Sequence, residues 1–227
     1  FNWAGGVSDT GYAIQGNILK NERVVPAMEK KFLETQLKLK EQELNYLKMQ
    51  IHPHFLFNTL NTMYGFALRK ADEAPEMILK LSNLLDYLLY KVDKPFVLIT
   101  DEINHIKDYI ELEKLRFNHT LSIDLKCNTI SENIKIAPML FLPFIENSFK
   151  HGALINGVLV IEISITCTNK NIHFYIENTY KKSETSTKGI GLENIQKRLD
   201  LLYKDHYNLK IETKNDTFKV NLELNTL

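Results

Sequence analysis

The apolar residues of this chain change their spacing near residue 118, and this change limits what the chain can fold into. Up to Phe117 they recur every three or four residues, as on amphipathic helices. After about His119 they alternate with polar residues in LSIDLKC, VLVIEISIT, IHFYIEN and TFKVNLEL, which is typical of half-buried strands. Two helical segments, about 138–151 and 191–203, interleave with these strands. The sequence therefore predicts an α+β protein: a helical hairpin followed by one sheet covered by helices.

Three parts are expected along the chain. Residues 1–25 have no clear period and are interpreted as a loose leader or an artificial remnant. Residues 26–117 form a helical domain and residues 118–227 the mixed domain. The first helix of the helical domain has a narrow leucine stripe, which suits either a partner helix in a dimer or packing on its own domain. Both interpretations stay open on the sequence. The stripe consists of Leu33, Leu37, Leu44, Leu47 and Ile51.

Two further helices are predicted in the first half, after Pro53, which is expected to bend the chain without ending the helical pattern. One buries a face of Met77, Leu81, Leu84, Leu85 and Leu88. The other runs from Asp101 to Phe117, with Thr100 as its N-cap and acids in its first turn. Its apolar face consists of Ile103, Ile106, Ile110 and Leu115.

Composition excludes some classes of function. Lys+Arg and Asp+Glu balance at 28 each, so no overall basic field argues for nucleic acid binding. The two cysteines, Cys127 and Cys167, lie in alternating segments and are expected to be reduced. No apolar run reaches 18 residues, so no membrane span is predicted. The sequence begins with Phe1 rather than Met, so we expect an upstream part.

The segment PFIENSFKHG places a polar stripe on an otherwise apolar helix. Asn147, Lys150 and His151 are spaced i, i+3 and i+4 and so share one helical face. An amide oxygen is a hard ligand that suits Mg²⁺, and an ammonium suits a phosphate. The alternative is a simple solvated helix face, which the spacing alone does not exclude.

The segment KGIGLENIQKRL places Gly189 and Gly191 before a helix. Glycines allow backbone N–H groups to approach an anion, and a helix N-terminus favours negative charge. On its own, however, the pair is better explained by a plain turn. The polar stretch KKSETSTK before it is typical of a mobile lid.

Together these segments resemble a known family. The motifs PHFLFN, DYIELEKLRF, PFIEN-x3-HG and GIGLEN-x3-RL occur in the order found in the LytS-like sensor histidine kinases, over roughly residues 45–225. The second half is similar to their GHKL (Bergerat-fold) ATP-binding domain. The resemblance implies a helical dimerisation and phosphoacceptor domain, a nucleotide-binding α/β sandwich, and the cofactors ATP and Mg²⁺.

The resemblance assigns the phosphoacceptor to His54 in PHFLFN, with His52 the weaker candidate. An imidazole with a pKa near 6.5 is available as a nucleophile at neutral pH. Asn58 lies four residues later, on the same helical face, and resembles the polar residue that orients or deprotonates the nucleophile in other histidine kinases. No carboxylate directly follows His54, so the group that accepts the proton stays open.

The resemblance also assigns the nucleotide site. Asn147 matches the Mg²⁺-binding asparagine, and Lys150 and His151 match positions near the phosphates. Pro143 stands where hydrolase relatives have a water-activating glutamate, which disfavours an ATPase of that type. Glu146 has no assigned role, and Arg116 is interpreted as part of a structural ion pair. The remaining matches are Gly189, Gly191, Asn194 and Arg198 in the second glycine box, and Thr217 near the adenine.

One departure from the family concerns the adenine site. Asn178 stands where most relatives have aspartate, and Thr179-Tyr180 replaces Asn-Gly. An amide oxygen can accept the same hydrogen bond from an adenine amino group, but without charge assistance. We therefore expect ATP binding at reduced strength.

The function expected from the resemblance is ATP-dependent autophosphorylation on histidine, followed by transfer to an aspartate of a response regulator. The chain is expected to form a homodimer, to bind no nucleic acid, and to act on the cytoplasmic side of a membrane below a sensor region absent from the sequence. The alternative is a nucleotide-binding scaffold or pseudokinase, which Asn178 and the low glycine content of the lid favour.

Overall fold

The structure is a computed structural model that describes residues 30, 32–37, 39, 53–129, 133–181 and 190–225. For residues 53, 54, 118, 129, 190 and 191 it describes the backbone only. The chain divides into two compact units, Phe1–Tyr46 and Leu47–Leu227. The described residues of the first unit are helical, and Leu33 and Leu37 are exposed there. The predicted leader and the rest of the leucine stripe lie outside the described residues.

The second unit begins with helices, as the sequence predicts. Helix α1 carries PHFLFN, α2 has a proline in its first turn, and α3 carries YIELEKLRF. The predicted apolar faces of α2 and α3 pack in the core: Met77 and Ile106 are almost inaccessible to solvent, whereas Leu85, Leu88 and Leu115 are partly buried. The helices span α1 Pro53–Leu68, α2 Ala74–Tyr90 and α3 Ile99–Phe117.

The prediction of Thr100 as an N-cap is wrong, because α3 already begins at Ile99. The chain enters this helix directly from a short strand, β1 (Val97–Leu98), which pairs antiparallel with β3 (Lys135–Ile136). The Ile99 N–H, which no residue earlier in the helix can satisfy, donates to the Ile134 carbonyl oxygen at 2.8 Å. The strand pair therefore supplies the partner that a side-chain cap would have provided.

A five-stranded mixed sheet follows, with strand order β2-β4-β5-β7-β6. Only the β2–β4 pair is parallel; the other three pairs are antiparallel. Four strands match the predicted segments, and β6 was not predicted. Strand β6 is an edge strand whose residues are mostly exposed, although its apolar residues alternate. The strands are β2 Leu121–Thr129, β4 Leu159–Cys167, β5 Asn171–Thr179, β6 Tyr207–Lys214 and β7 Thr217–Asn225.

Two helices cover the sheet: α4 (Leu142–His151) and α5 (Ile190–Leu202). The predicted start of α4 near residue 138 is wrong by four residues. Met139 has a left-handed backbone (φ 57°), which a helix does not allow, and the proline at position 143 lies in the first turn of α4. Residues 137–141 are therefore a turn that leads into α4.

The buried apolar residues of α2, α3, the sheet, α4 and α5 form one core. Phe141, for example, stacks on Phe174 of β5 with ring centres 4.6 Å apart. The predicted α+β class is confirmed, whereas the predicted border between residues 117 and 118 lies inside the second unit and stays a prediction. Both cysteines are free. Among the described residues, no helix has the length and apolar character needed to cross a bilayer.

Candidate functional site

Helix α4 presents the predicted polar stripe. Asn147 is half-buried, Lys150 and His151 are exposed, and the opposite face buries Ile145 and Phe149 in the core. Partial burial lowers the pKa of His151, and the Lys150 charge lowers it further. The described residues offer the Asn147 side chain no hydrogen bond. The stripe is thus available to a ligand, as the helical spacing predicts.

The C-terminal end of α4 packs too tightly for any residue but glycine. A Cβ at Gly152 would lie 2.4 Å from both the Ser148 carbonyl oxygen and Leu159 Cδ1. It would also lie 3.4 Å from Asn178 Nδ2. The glycine after His151 therefore brings the end of α4 against the end of strand β5.

Asn178 is the most unusual polar side chain of this region. It is 2% exposed, and its Nδ2 donates to the Thr179 carbonyl oxygen at 2.8 Å. Its Oδ1 is buried and accepts no hydrogen bond from the described residues. A buried acceptor without a partner costs about 1–3 kcal/mol, so this oxygen points to a ligand that donates a hydrogen bond.

Hydrogen bonds fasten three elements together beside Asn178. The Ala153 N–H, just after α4, donates to the Thr179 carbonyl oxygen at 2.8 Å. The Thr179 hydroxyl donates back to the Ala153 carbonyl oxygen at 2.7 Å. Thr217 pairs with Thr179 in the β5–β7 register, and its hydroxyl donates to the Lys214 carbonyl oxygen. The end of α4, the end of β5 and the start of β7 thus meet beside Asn178 at one end of the sheet.

The turn 137–141, directly before α4, is held by a side chain that the sequence reasoning missed. Glu102 of α3 is fully buried, and its carboxylate accepts from the N–H groups of Met139 and Leu140 at 3.0 Å and of Phe141 at 3.4 Å. It also accepts a hydrogen bond from the hydroxyl of Tyr87 on α2. The sequence spacing could have identified Glu102 as a buried polar residue. It lies three residues after Ile99 and four before Ile106, and so on the apolar face of α3.

Helix α5 holds the same turn from the other side. Arg198, matched to the terminal arginine of the glycine box, is 5% exposed. Its Nη1 donates to the Met139 carbonyl oxygen at 2.8 Å, and its Nη2 donates to the Pro138 carbonyl oxygen. The Tyr203 hydroxyl accepts from the Ala137 N–H at 2.9 Å. Burial lowers the pKa of Arg198, and the nearby Glu102 carboxylate opposes this shift.

The other predicted residues of the glycine box are only partly described. Asn194 is half-buried on α5, one turn before Arg198. Gly191 belongs to the first turn of α5 by its backbone, and Gly189 and the predicted lid lie outside the described residues. The anion-binding role of these residues therefore stays a prediction.

The predicted phosphoacceptor lies at the start of α1. The backbone of His54 is helical, with Asn58 one turn later on the same helix; His52 lies outside the described residues. The Phe55 ring lies 4.7 Å from the Tyr109 ring, and the Tyr109 ring lies 5.8 Å from that of Phe149 on α4. Aromatic contacts therefore connect the PHFLFN segment to the helix that carries Asn147.

A second buried carboxylate lies on α3 near these rings. Glu113 is 2% exposed and accepts from the Tyr109 hydroxyl at 3.2 Å. Arg116 forms an ion pair with it at 2.6 Å, which confirms the structural role predicted for that arginine. Burial raises the pKa of Glu113 to about 7, against the opposing effect of Arg116. Sequence reasoning missed Glu113, which lies among charged residues in ELEKLRF.

Comparisons with known proteins find similarity to histidine kinases in the part of the chain that contains the motifs PHFLFN and DYIELEKLRF. Residues 42–121 match the family model described as histidine kinase. The match ends at the first residue of β2, so it does not include α4, β5 or α5. The chain is 25% identical over 211 residues to the sensor protein kinase HptS of Staphylococcus aureus, covering 86% of this chain and 40% of HptS. The chain thus spans about two fifths of the length of the curated relatives it matches.

Solved structures share the fold only loosely. The histidine kinase AdeS of Acinetobacter baumannii superposes with a TM-score of 0.43 at 13% identity, over 86% of this chain and 96% of AdeS. The histidine kinase ThkA in complex with the response regulator TrrA gives a TM-score of 0.42 at 11% identity, over 92% and 66%. Residues 42–121 are thus similar to histidine kinases by the family model, and most of the chain is similar to the sensor protein kinase HptS.

Proposed function

We propose that this chain is the catalytic core of an ATP-dependent sensor histidine kinase whose nucleotide lies where α4, β5 and β7 meet. The observation that carries the proposal is the buried Asn178 Oδ1, an acceptor without a partner among the described residues, beside the close-packed Gly152. Such an oxygen fits a ligand that presents a hydrogen-bond donor. The amino group of adenine is a donor of this kind.

The adenine end of the site predicts a preference between nucleotides. Asn178 Oδ1 can accept a hydrogen bond from the amino group of ATP, whereas GTP has a carbonyl oxygen at the corresponding position. Two acceptors that face each other leave both unsatisfied, and this costs about 1–3 kcal/mol. Thr217, opposite Thr179 in the β5–β7 register, lies next to this position and is proposed as a second adenine contact.

The phosphate end of the site is proposed along the polar stripe of α4. The Asn147 amide oxygen is a hard ligand of the type that Mg²⁺ prefers, and Lys150 and His151 follow on the same face. Gly189, Gly191 and Asn194 are proposed to contact the phosphates as well, because the backbone of Gly191 lies in the first turn of α5, where a helix favours an anion. Mg²⁺, when bound, would neutralise phosphate charge during transfer.

The proposed acceptor of the γ-phosphoryl group is His54. A neutral ring nitrogen attacks phosphorus, the N–P bond forms as the P–O bond to ADP breaks, and the ring releases a proton. Asn58, one turn later on α1, is proposed to orient the imidazole. The phosphoryl group then passes to an aspartate of a response regulator.

A homodimer is proposed through α1, because this helix leaves an apolar stripe uncovered. Phe57, Tyr64 and Leu68 recur at i, i+7 and i+11, and they are 66%, 66% and 65% exposed. Exposed apolar stripes of this kind mark protein interfaces. A second copy of the chain is the proposed occupant, since a self-complementary helix face closes a two-fold dimer.

The upstream part of the proposed protein is a sensor region. The relative HptS is a sensor protein kinase, and the chain covers only 40% of it. We propose that the kinase core lies on the cytoplasmic side of a membrane, below that region.

Labelling with γ-³²P-ATP and Mg²⁺ tests the proposal. The chain should acquire acid-labile label, as phosphohistidine does, and His54→Gln should abolish it. His52→Gln is the matched control and should keep the label. Label on His54→Gln, or label that resists acid, would overturn the assignment of the acceptor.

A second candidate function is a nucleotide-binding scaffold, which the amide at position 178 favours. It predicts ATP binding without label on any variant. Equilibrium binding of a fluorescent ATP analogue, measured beside the labelling, separates the two functions. A chain that binds no nucleotide would contradict both.

A further inference from the structure

The turn that leads into α4 is held mainly by side chains of other elements. Side chains of four residues on α2, α3 and α5, or directly after α5, surround residues 137–141. Glu102 accepts from three consecutive N–H groups, Arg198 donates to two carbonyl oxygens, and Tyr203 accepts from the Ala137 N–H. The Tyr87 hydroxyl acts on the turn indirectly, because it donates a hydrogen bond to the Glu102 carboxylate.

We propose that Glu102 is a positioning residue for nucleotide binding, and that its hydrogen bond from Tyr87 couples helix α2 to the nucleotide site. The inference rests on the proposed function, because it takes Asn147 on α4 as a nucleotide contact. It adds residues that lie outside the site itself and that act through the turn 137–141.

The geometry explains how Glu102 acts on α4. The last of the three N–H groups that donate to its carboxylate is that of Phe141, and α4 begins at the next residue. The three N–H groups lie directly before the first residue of α4, so the carboxylate of another helix fixes the backbone that leads into α4. Asn147 lies in the second turn of α4, and a shift of the turn therefore moves its amide directly.

The electrostatics explain why the carboxylate cannot easily be replaced. All four partners of Glu102 donate hydrogen bonds to its carboxylate oxygens. An ionised carboxylate can accept all four, whereas the NH2 group of a neutral amide is a donor and accepts none. Arg198 holds the same turn through its carbonyl oxygens and adds a positive charge near Glu102. Since Arg198 belongs to α5, one turn fixes both helices of the proposed nucleotide site.

The coupling to α2 depends on Tyr87. Its ring is 6% exposed and stacks on that of His105 of α3, with ring centres 4.1 Å apart, so the hydroxyl has a fixed direction. A rotation or slide of α2 would withdraw the hydroxyl from Glu102 while the backbone N–H groups stay. The affinity for nucleotide would then depend on the position of a helix that does not touch the nucleotide.

The test compares Tyr87→Phe with a matched control, Tyr109→Phe. Both remove one buried hydroxyl that donates to a glutamate, but the partner of Tyr109 is Glu113, which does not contact the turn. The readouts are the dissociation constant for ATP with Mg²⁺, the separate KM and kcat of autophosphorylation, and the midpoint of urea unfolding. Glu102→Gln is measured in parallel.

We expect Tyr87→Phe to raise the dissociation constant and KM for ATP about five- to tenfold, which lies within the net contribution of one typical hydrogen bond. Tyr109→Phe should leave both unchanged although it also lowers the unfolding midpoint. Adding Tyr87→Phe to Glu102→Gln should have a smaller effect than Tyr87→Phe has in the wild type, because the two side chains belong to one hydrogen-bond network.

Two results would overturn the inference. Lower unfolding midpoints with an unchanged dissociation constant in Tyr87→Phe would show a purely structural role. Equal loss of affinity in both tyrosine variants would show that any buried hydroxyl matters. If the wild-type chain binds ATP but is not labelled, only the kinase proposal is refuted, because the ATP affinity of the variants still tests the role of Glu102. If the wild-type chain binds no ATP, the kinase proposal and the role of Glu102 are both refuted.

Discussion

The rings of Phe55 and Tyr109 lie 4.7 Å apart between their centres, at an angle of 34°. Phe55 follows the proposed phosphoacceptor His54 directly, and Tyr109 also contacts Phe149, two residues after Asn147. The acceptor segment and the proposed nucleotide helix thus share a set of aromatic contacts. In a phosphoryl transfer that depends on positioning, such contacts should affect the rate more than the affinity.

The first prediction concerns Phe55→Leu. We expect the rate of His54 phosphorylation to fall about tenfold, because an aromatic pair contributes about 0.5–1.5 kcal/mol beyond its buried area. The affinity for ATP should stay unchanged, since Phe55 does not belong to the nucleotide site. Single-turnover labelling and equilibrium binding check the two parts. Tyr109→Phe is the control, because it keeps the ring, and its rate should stay near wild type.

The second prediction concerns Gly152→Ala. A Cβ would lie 2.4 Å from the Ser148 carbonyl oxygen and from Leu159 Cδ1, so the backbone at the end of α4 and the Leu159 side chain must shift. We expect a loss of about 1–3 kcal/mol in the free energy of unfolding, together with weaker ATP binding. Gly65→Ala in α1 is the control, because the new Cβ would meet only Arg69 at 4.0 Å. It should leave stability unchanged or raise it by about 0.5–1 kcal/mol. Equal effects of both changes in urea unfolding would contradict the prediction.

The apolar spacing predicted much of the fold, because helices and strands that bury one face have a regular period. It predicted the buried faces of α2, α3 and α4 and four of the five strands of the sheet. It missed β6, an edge strand that is mostly exposed, and the short pair β1–β3, whose two-residue strands are too short to show a period. The start of α4 was predicted too early because Met139 and Phe141 are buried whether the backbone is helical or turned.

In the candidate site, too, the sequence identified some residues and missed others. Asn147 and Asn178 were identified because each stands in a local motif. Glu102 and Tyr87 were missed because their partners are distant in sequence: Glu102 reaches Met139 across 37 residues, and Tyr87 reaches Glu102 across 15. A polar residue on an apolar helix face signals that a partner exists, but only the folded chain identifies that partner.

The third prediction concerns Asn178→Asp, which restores the residue common in the resembled family. The Asn178 Nδ2 donates to the Thr179 carbonyl oxygen, and a carboxylate there would face that oxygen without a proton. We expect the free energy of unfolding to fall by about 1–3 kcal/mol. Burial should raise the pKa of the new carboxyl, so the loss should grow as the pH rises and shrink in acid, where the carboxyl is protonated.

Urea unfolding at about pH 5 and pH 8 checks this prediction, with Asn171→Asp at the exposed start of β5 as the control. The control should show no such dependence. A more stable Asn178→Asp variant would mean that Nδ2 contributes nothing and that the site accepts a charge.

The fourth prediction concerns the apolar stripe of α1. Leu68→Lys places a charge on a residue that is 65% exposed in the single chain, so the fold should tolerate it. If the stripe pairs two copies, the charge becomes buried at the interface, and the dimer should weaken by several kcal/mol. Sedimentation equilibrium measures the effect. Leu201→Lys, an exposed leucine on α5, is the control and should stay dimeric; a wild-type chain that stays monomeric at high concentration would refute the interface.

The fifth prediction is a pH dependence that arises from His105. Burial lowers its pKa to about 4 from 6.5, and its ring nitrogens accept or donate no hydrogen bond within the described residues. The unfolded chain therefore binds a proton at a higher pH than the folded chain does. The stabilising effect is present above pH 6.5 and is lost as the pH falls toward 4, by up to about 3 kcal/mol.

Two substitutions separate this titration from packing. His105→Phe keeps the stack on Tyr87, whereas His105→Leu removes it. Both variants should lose the part of the pH dependence between pH 6.5 and 4 that His105 contributes, relative to wild type, because neither side chain titrates. Only His105→Leu should lose about 1 kcal/mol at every pH, the usual contribution of a stacked pair. Urea unfolding across this range measures both effects. A wild-type curve parallel to that of His105→Phe would mean that His105 takes up its proton in the folded chain as readily as in the unfolded chain, against the prediction.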